Sequence, residues 1–309
     1  MFDFVTGEKL QSIADITITT HPIKKFHKHF DTYVKKVCLL EGSISEIISV
    51  SEQNIIELQK HRIIFVYSHL LESFFKLIYP KLNHHFILIS HNSDNSITNQ
   101  YIKYLNEDKI IKWYGQNLEI IHPKLKVLPI GIGNSQWKHG NLDILRSAIK
   151  QDSNIMITIN NILNPNNITT YPKTYKKLIY LNFKIKTNKA VRTPIYDLMK
   201  TKSFVTINSN LSYSNYLQEL STHKFCIVPP GNGIDCHRTW ECLYLGVIPV
   251  LKDCIANRHF DKLPILLIDD WNDITEEYLD REYQKIWMKE YPLDYLDFSY
   301  WKRTISEGH

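Results

Sequence analysis

Two series of short apolar runs, rich in β-branched and aromatic residues and spaced by helix-length segments, constrain this chain more than any other feature. In the first half they are RIIFVYS (62–68), HFILIS (85–90) and KVLPIGI (126–132), with segments such as SITNQYIKYLNED between them. Runs of this length bounded by polar residues read as buried strands, and regular alternation with helices builds a parallel sheet. The alternation restarts at KLIYLNF (177–183) and continues through SFVTINS, FCIVPP, VIPVLK and PILLID. Between the two series, DSNIMITINNILNPNNITTYPKTYKK is rich in Asn, Thr and Pro and poor in helical pattern, as a linker would be. The expected organisation is therefore an α/β domain over 1–150, a linker over 151–176, a second α/β domain over 177–275 and a helical tail over 276–309. The first 50 residues show no comparable pattern.

Composition narrows the class. A chain of 309 residues has room for two cores, and 43% apolar with 22% charged residues is the balance of a globular protein. The longest apolar stretch, RIIFVYSHLLESFFKLIY, carries Ser68, His69, Glu72 and Lys76 where a bilayer helix would be apolar. The start, MFDFVTGEKLQS, has an acid where an export signal wants a basic region, so a cytoplasmic location is expected, the host cytoplasm if the source is viral. Five cysteines with no CxxC spacing fit a reducing compartment. A net charge of +5 spread along the chain argues against nucleic acid as a partner.

The most informative segment is KFCIVPPGNGIDCHRTWECLYLGVIPVLKD, 224–253. It reads as a strand, a turn needing glycine dihedrals at Gly231 and Gly233 around Asn232, a helix capped by Asp235 and ended by Gly246, then a second parallel strand. Trp240, Leu243, Tyr244 and Val247 follow the spacing of a packed stripe, with Arg238 and Glu241 one turn apart on another, outward face. A helix starting at the carboxyl end of a parallel strand opens onto the crevice where such sheets bind ligands, and its free amides attract phosphate. Beside His237, Arg238 adds a donor fork for phosphate oxygens, and Glu241 can accept from the hydroxyls of a ribose. The plainer reading of Arg238 and Glu241 is a surface ion pair. A dinucleotide fingerprint is a weaker match, because Cys236 fills the third small-residue position and His237 and Arg238 crowd the first turn.

Strand, glycine loop and HRTWECLYLGVIPV together resemble the signature of exostosin-like glycosyltransferases, of a soluble viral or bacterial type. LPIGIGNSQWKHGNLDIL (128–145) and LIYLNFKIKTNKAVRTPIYDLM (178–199) resemble further pieces of the same set. The resemblance implies a GT-B architecture, in which two Rossmann-like domains face a cleft with the donor in the C-terminal one. It also implies inversion at the anomeric carbon, with a lean towards a pentose such as xylose.

Other residues fall around this frame. Asn182, Thr187, Asn188 and Arg192 follow a strand of the second domain and are expected at the same crevice edge, Arg192 as a second phosphate contact or as a solvated residue at a helix start. In the first domain ILISHNSDNSITNQ ends a strand in His91 and Asp94, candidates for the base that takes the acceptor proton. Asp94 or Ser96 equally reads as a helix cap, and His69 is an alternative base. Trp137 could stack on a sugar or pack internally. His21, His27 and His29 lack a carboxylate or cysteine partner at metal-binding spacing, so no metal and no cofactor is expected, the nucleotide-sugar being a co-substrate.

The combined expectation is a glycosyltransferase moving a sugar from a nucleotide-sugar, a UDP-sugar and by the lean above UDP-xylose, to a carbohydrate or glycan hydroxyl, without metal or membrane. Arg238 and Arg192 would stabilise the diphosphate leaving group. The alternatives are an NAD-type oxidoreductase and a non-catalytic glycan-binding protein.

Overall fold

The computed structural model describes residues 3–21, 34–151 and 177–308. They form two compact units, Met1–Gly140 with Asp297–His309, and Asn141–Leu296. The expected linker lies almost wholly outside the described residues, as do His27 and His29.

In the first unit six parallel strands stand in the order β2-β1-β5-β6-β7-β8. They are β1 (Ile16–Thr19), β2 (Val37–Leu39), β5 (Ile63–Tyr67), β6 (Phe86–His91), β7 (Ile110–Gly115) and β8 (Leu125–Val127). A separate antiparallel hairpin, β3 (Glu41–Ser43) and β4 (Glu46–Ser49), follows β2. Ile64, Val66, Leu88 and Trp113 pack one face with Leu70, Phe74 and Ile78. At the other face Tyr114 donates from its hydroxyl to the Thr304 carbonyl at 3.3 Å. The stretch 62–79 thus divides into β5 and short helical turns, and among the described residues no helix is long and apolar enough to cross a membrane. KVLPIGI yields only the short β8: Pro129 has no N–H for a ladder, and Gly131 turns left-handed at φ +67°.

The second unit holds five parallel strands in the order β10-β9-β11-β12-β13. They are β9 (Lys177–Leu181), β10 (Val205–Ile207), β11 (His223–Ile227), β12 (Ile248–Lys252) and β13 (Leu266–Ile268). Ile179, Leu181, Phe225 and Ile227 pack with Ile195 and Met199 of the helix Lys189–Met199 and with Leu279 and Tyr283 of the helix Glu276–Trp287. On the opposite side of β9, Tyr180 stacks with Tyr216 at 6.3 Å and His223 at 4.8 Å. With helices on both faces, both cores are those of doubly wound, Rossmann-like units.

The boundaries differ from the sequence reading in two places. The helix Leu142–Gln151 belongs to the second unit, not the first. The tail 276–309 is not one element: Glu276–Trp287 completes the second core, whereas Phe298–Glu307 belongs to the first unit, where the Phe298 amide donates to the Asp3 carbonyl at 2.8 Å. Both helices are amphipathic, and the pattern alone does not say which sheet each apolar face covers.

Candidate functional site

A strand order of the form 2-1-3-4-5 has its topological switch between the first and third strands, and ligands bind outside the carboxyl ends there. In the second unit this point lies between β9 and β11. The loop after β9 holds Asn182, Thr187 and Asn188; the loop after β11 holds Gly231, Asn232, Gly233 and Asp235. Topology therefore brings the two predicted segments side by side, which sequence spacing alone could not do.

The loops are joined chemically. Asn188 caps the helix Lys189–Met199, its Oδ1 accepting from the Val191 amide, while its Nδ2 donates to the Gly231 carbonyl at 2.9 Å. Arg192 lies beneath. Its Nε donates to the Pro230 carbonyl at 2.9 Å, Nη1 to the Lys184 carbonyl at 3.0 Å and Nη2 to the Pro229 carbonyl at 3.3 Å. The guanidinium also lies over the Phe183 ring, 5.3 Å from its centroid. At 5% exposure Arg192 is neither the phosphate contact nor the solvated arginine expected: its fork is engaged by three carbonyls, and it braces both loops from below. Burial depresses its pKa. Asn182 donates to the Tyr180 hydroxyl at 2.9 Å, and Thr187 and Asn232 are exposed.

The glycine turn also works differently from expectation. Among the described residues Gly231 and Gly233 do not take positive φ; that conformation belongs to Gly131, Gly246 and Gly308. A Cβ on Gly231 would sit 3.2 Å from Arg192 Nη2 and 3.7 Å from Cys236 Sγ, so the glycine lets the loop lie closely against the Arg192 guanidinium. Gly246 ends the helix as expected, at φ +68°.

The helix itself runs from His237 to Tyr244. Asp235 is not its cap. Cys236 occupies that position and makes no side-chain capping bond. The Asp235 carboxylate instead accepts from Trp240 Nε1 at 2.9 and 3.1 Å inside the fold, which removes it from a direct donor-binding role. The helix start thus carries half-buried His237 and Arg238 with no side-chain cap.

Arg238 and Glu241 are linked through Tyr216, from the helix Tyr213–Ser221. The Tyr216 hydroxyl donates to Glu241 Oε2 at 2.8 Å and accepts from Arg238 Nε at 3.2 Å. Among the described residues no acceptor takes the Arg238 Nη groups. Glu241 does not face outward: it is 4% exposed with Oε2 taken by Tyr216, so it forms no surface ion pair and presents little surface for the ribose contact expected of it. Burial raises its pKa, opposed by Arg238 and the tyrosines. For Arg238 burial acts downward, but Tyr216, Cys226 and Glu241 outweigh it and the pKa ends up raised, keeping the side chain a cation.

The loop after β9 adds a feature that the sequence reading missed. Lys184, Lys186 and Lys189 are all exposed, and no acid stands between Asn182 and Pro194. This rim carries positive charge to the switch point; the signal in sequence is a run of cations without acids. Tyr216 left no such signal.

In the first unit the candidate bases separate. His91 is 1% exposed, with Nε2 at 2.9 Å from the Pro129 carbonyl and Nδ1 at 3.2 Å from Asn92 Oδ1, and burial lowers its pKa. It is a packed histidine, not an available base. Asp94 is exposed, and among the described residues nothing bonds its carboxylate. It caps no helix, since Thr98 holds the cap position of the following turn. His69 is half-buried and packs on the Tyr67 ring at 5.6 Å. Trp137 is 55% exposed and stacks with His139.

No family model matches the chain, and no curated protein matches it in sequence. Among solved structures it is similar to HepE of Anabaena in complex with UDP, at 8% identity, covering 97% of this chain and 95% of that chain with a TM-score of 0.46. It is also similar to the UDP-GlcNAc 2-epimerase of Methanocaldococcus jannaschii, at 10% identity, covering 94% and 98% with a TM-score of 0.37.

Proposed function

We propose that this protein is a nucleotide-sugar-dependent glycosyltransferase of the GT-B kind, with its donor site at the switch point of the second unit. One observation carries the reading: a helix start at that point whose cap residue Cys236 makes no side-chain bond, with Arg238 held by its Nε and, among the described residues, no acceptor for its two Nη groups. A helix dipole and a bidentate fork suit a diphosphate. The lysine rim would draw the anion in, and the loop braced by Arg192 would hold its shape against it. A UDP-sugar is the preferred donor, xylose the first sugar to try, and a carbohydrate hydroxyl the acceptor. Exostosin-like enzymes are the kinship that the Arg238–Pro249 segment favours, and with it inversion.

In such a displacement the acceptor hydroxyl loses its proton to a base as the anomeric carbon–oxygen bond to the diphosphate breaks. Arg238 and the helix dipole stabilise the charge growing on the leaving group. Asp94 is the proposed base, an exposed carboxylate that no side chain among the described residues engages. Metal and cofactor are not needed for this charge balance, and a cytoplasmic location is part of the proposal. A thermal-shift series with UDP, GDP, CMP, NAD and free sugars tests it. UDP should raise the melting temperature most, and UDP-sugar turnover should persist in saturating EDTA. A shift with NAD alone, or with free sugar alone, would replace the reading with an oxidoreductase or a glycan-binding protein.

A further inference from the structure

We infer that Tyr216 is a positioning residue of the donor site: its hydroxyl, anchored by the buried Glu241 carboxylate, takes the Nε–H of Arg238 and so presents the two Nη groups to a nucleoside diphosphate. This rests on the donor-site reading above and adds a residue from a different helix to it.

The argument is one of donor and acceptor arithmetic. A tyrosine hydroxyl has one proton to give and lone pairs with which to accept. Glu241, when ionised, can only accept, and it lies 2.8 Å from the hydroxyl, so the Tyr216 proton points to Glu241 and a lone pair remains for Arg238 Nε at 3.2 Å. The order Arg238 to Tyr216 to Glu241 therefore has one direction. The Tyr216 ring also lies beneath the guanidinium, which stands 5.5 Å from its centroid. Tyr216 is 7% exposed and sits between the rings of Tyr213 and Tyr180, 6.3 Å from each, so its hydroxyl cannot swing away. Without it, Arg238 and Glu241 are opposite charges one helical turn apart with nothing between them. They would pair directly, and the fork would turn inward to the carboxylate. Tyr216 thus keeps an arginine beside an acid without letting the acid consume it.

The test uses the full-length protein, UDP as the probe and calorimetry as the readout. Tyr216→Phe should weaken UDP binding by about tenfold, the worth of one charge-assisted hydrogen bond, with the melting temperature of the free protein little changed. In an Arg238→Ala background the same substitution should add nothing, because the two residues act as one unit. Glu241→Gln, which keeps the volume, should reproduce part of the loss. Slow solvent exchange of the Arg238 Nε proton by NMR should be present in the wild type and lost in Tyr216→Phe, a readout that stability alone would not move. Unchanged UDP affinity in Tyr216→Phe, or an equal loss in the Arg238→Ala background, overturns the relay while leaving the donor site standing. No UDP binding by the wild type overturns the donor site and the relay with it.

Discussion

The helices Gly7–Ile13 and His237–Tyr244 start at comparable places, each in the unit of its own parallel sheet, and they treat their starts in opposite ways. In the first unit Thr6 Oγ1 accepts from the Lys9 amide, Asn134 Oδ1 accepts from the Glu8 amide, and Glu8 puts an acid in the first turn. The protein itself supplies what the helix dipole and free amides call for. A Cβ on Gly7 would fall 1.9 Å from Asn92 Oδ1, so no room remains there for a ligand. In the second unit the cap is missing, the first turn is basic, and the compensating acid, Glu241, is withdrawn behind Tyr216. The two units thus treat a helix start differently: one closes it with its own side chains, and in the other the cap residue makes no side-chain bond. Side chains delivered by neighbouring elements make the difference, not the sheet.

Four measurements would break or sharpen this contrast. The largest effect expected is on acid stability. His223 at the amino end of β11 is fully buried against Tyr180, and burial pushes its pKa down to about 4. The unfolded chain therefore takes up the proton first, and stability falls as the pH drops from about 6.5 towards 4, by up to roughly 3 kcal/mol. Urea unfolding at several pH values should show the loss, and His223→Gln should blunt it; an identical pH profile in the variant would refute the assignment.

Next comes the base. Asp94→Asn should lower turnover by about 100-fold with UDP affinity and melting temperature kept, since the carboxylate holds no described partner and caps no helix. Normal turnover would pass the role to half-buried His69. Arg238→Ala follows, with UDP binding weakened by about 2 kcal/mol through loss of the charged fork. If calorimetry finds the affinity intact, the uncapped start is not the site. The smallest change is Thr6→Ala, which should cost about 1 kcal/mol of stability as a lost cap and leave UDP binding alone. A change in UDP affinity there would mean that the first helix start is not the closed one described.

Much of the fold was legible in local pattern. Apolar runs located β5, β6, β9, β11, β12 and β13, because a strand largely buried on both faces has to be nearly continuously apolar, and SFVTINS located the half-buried edge strand β10 through its β-branched residues. The misses share a cause. ITIT of β1 is four residues long and half threonine, β2 is three residues, and β7 follows directly on the polar NEDK, so none stands out against its flanks. Gly246 was identifiable as the helix terminator and Arg238 as a first-turn residue, whereas Gly231, expected for its dihedral freedom, has no positive φ and lies close against Arg192.

What the sequence by itself determined is therefore the two-part α/β organisation and the place of the helix His237–Tyr244 after its strand and loop, since both depend on residues adjacent in the chain. The tertiary structure alone decided the role of each polar side chain. Arg192, Asp235, His91 and Glu241 are each of a residue type that could meet a ligand, and each is turned inward by a partner: Pro230, Pro129 and Tyr216 come from other segments, and Trp240 from one turn into the helix that follows Asp235. Helical periodicity records which positions are apolar, not where a polar residue finds its partner. The helix His237–Tyr244 is covered on one face by its sheet and on another by the helix Tyr213–Ser221, so the face read as outward for Glu241 became an interior one. Arg238, with Nε its one side-chain donor that meets an acceptor among the described residues, kept the others because the tyrosine that reached it, 22 residues earlier in the chain, had one lone pair to offer and a carboxylate of its own to hold.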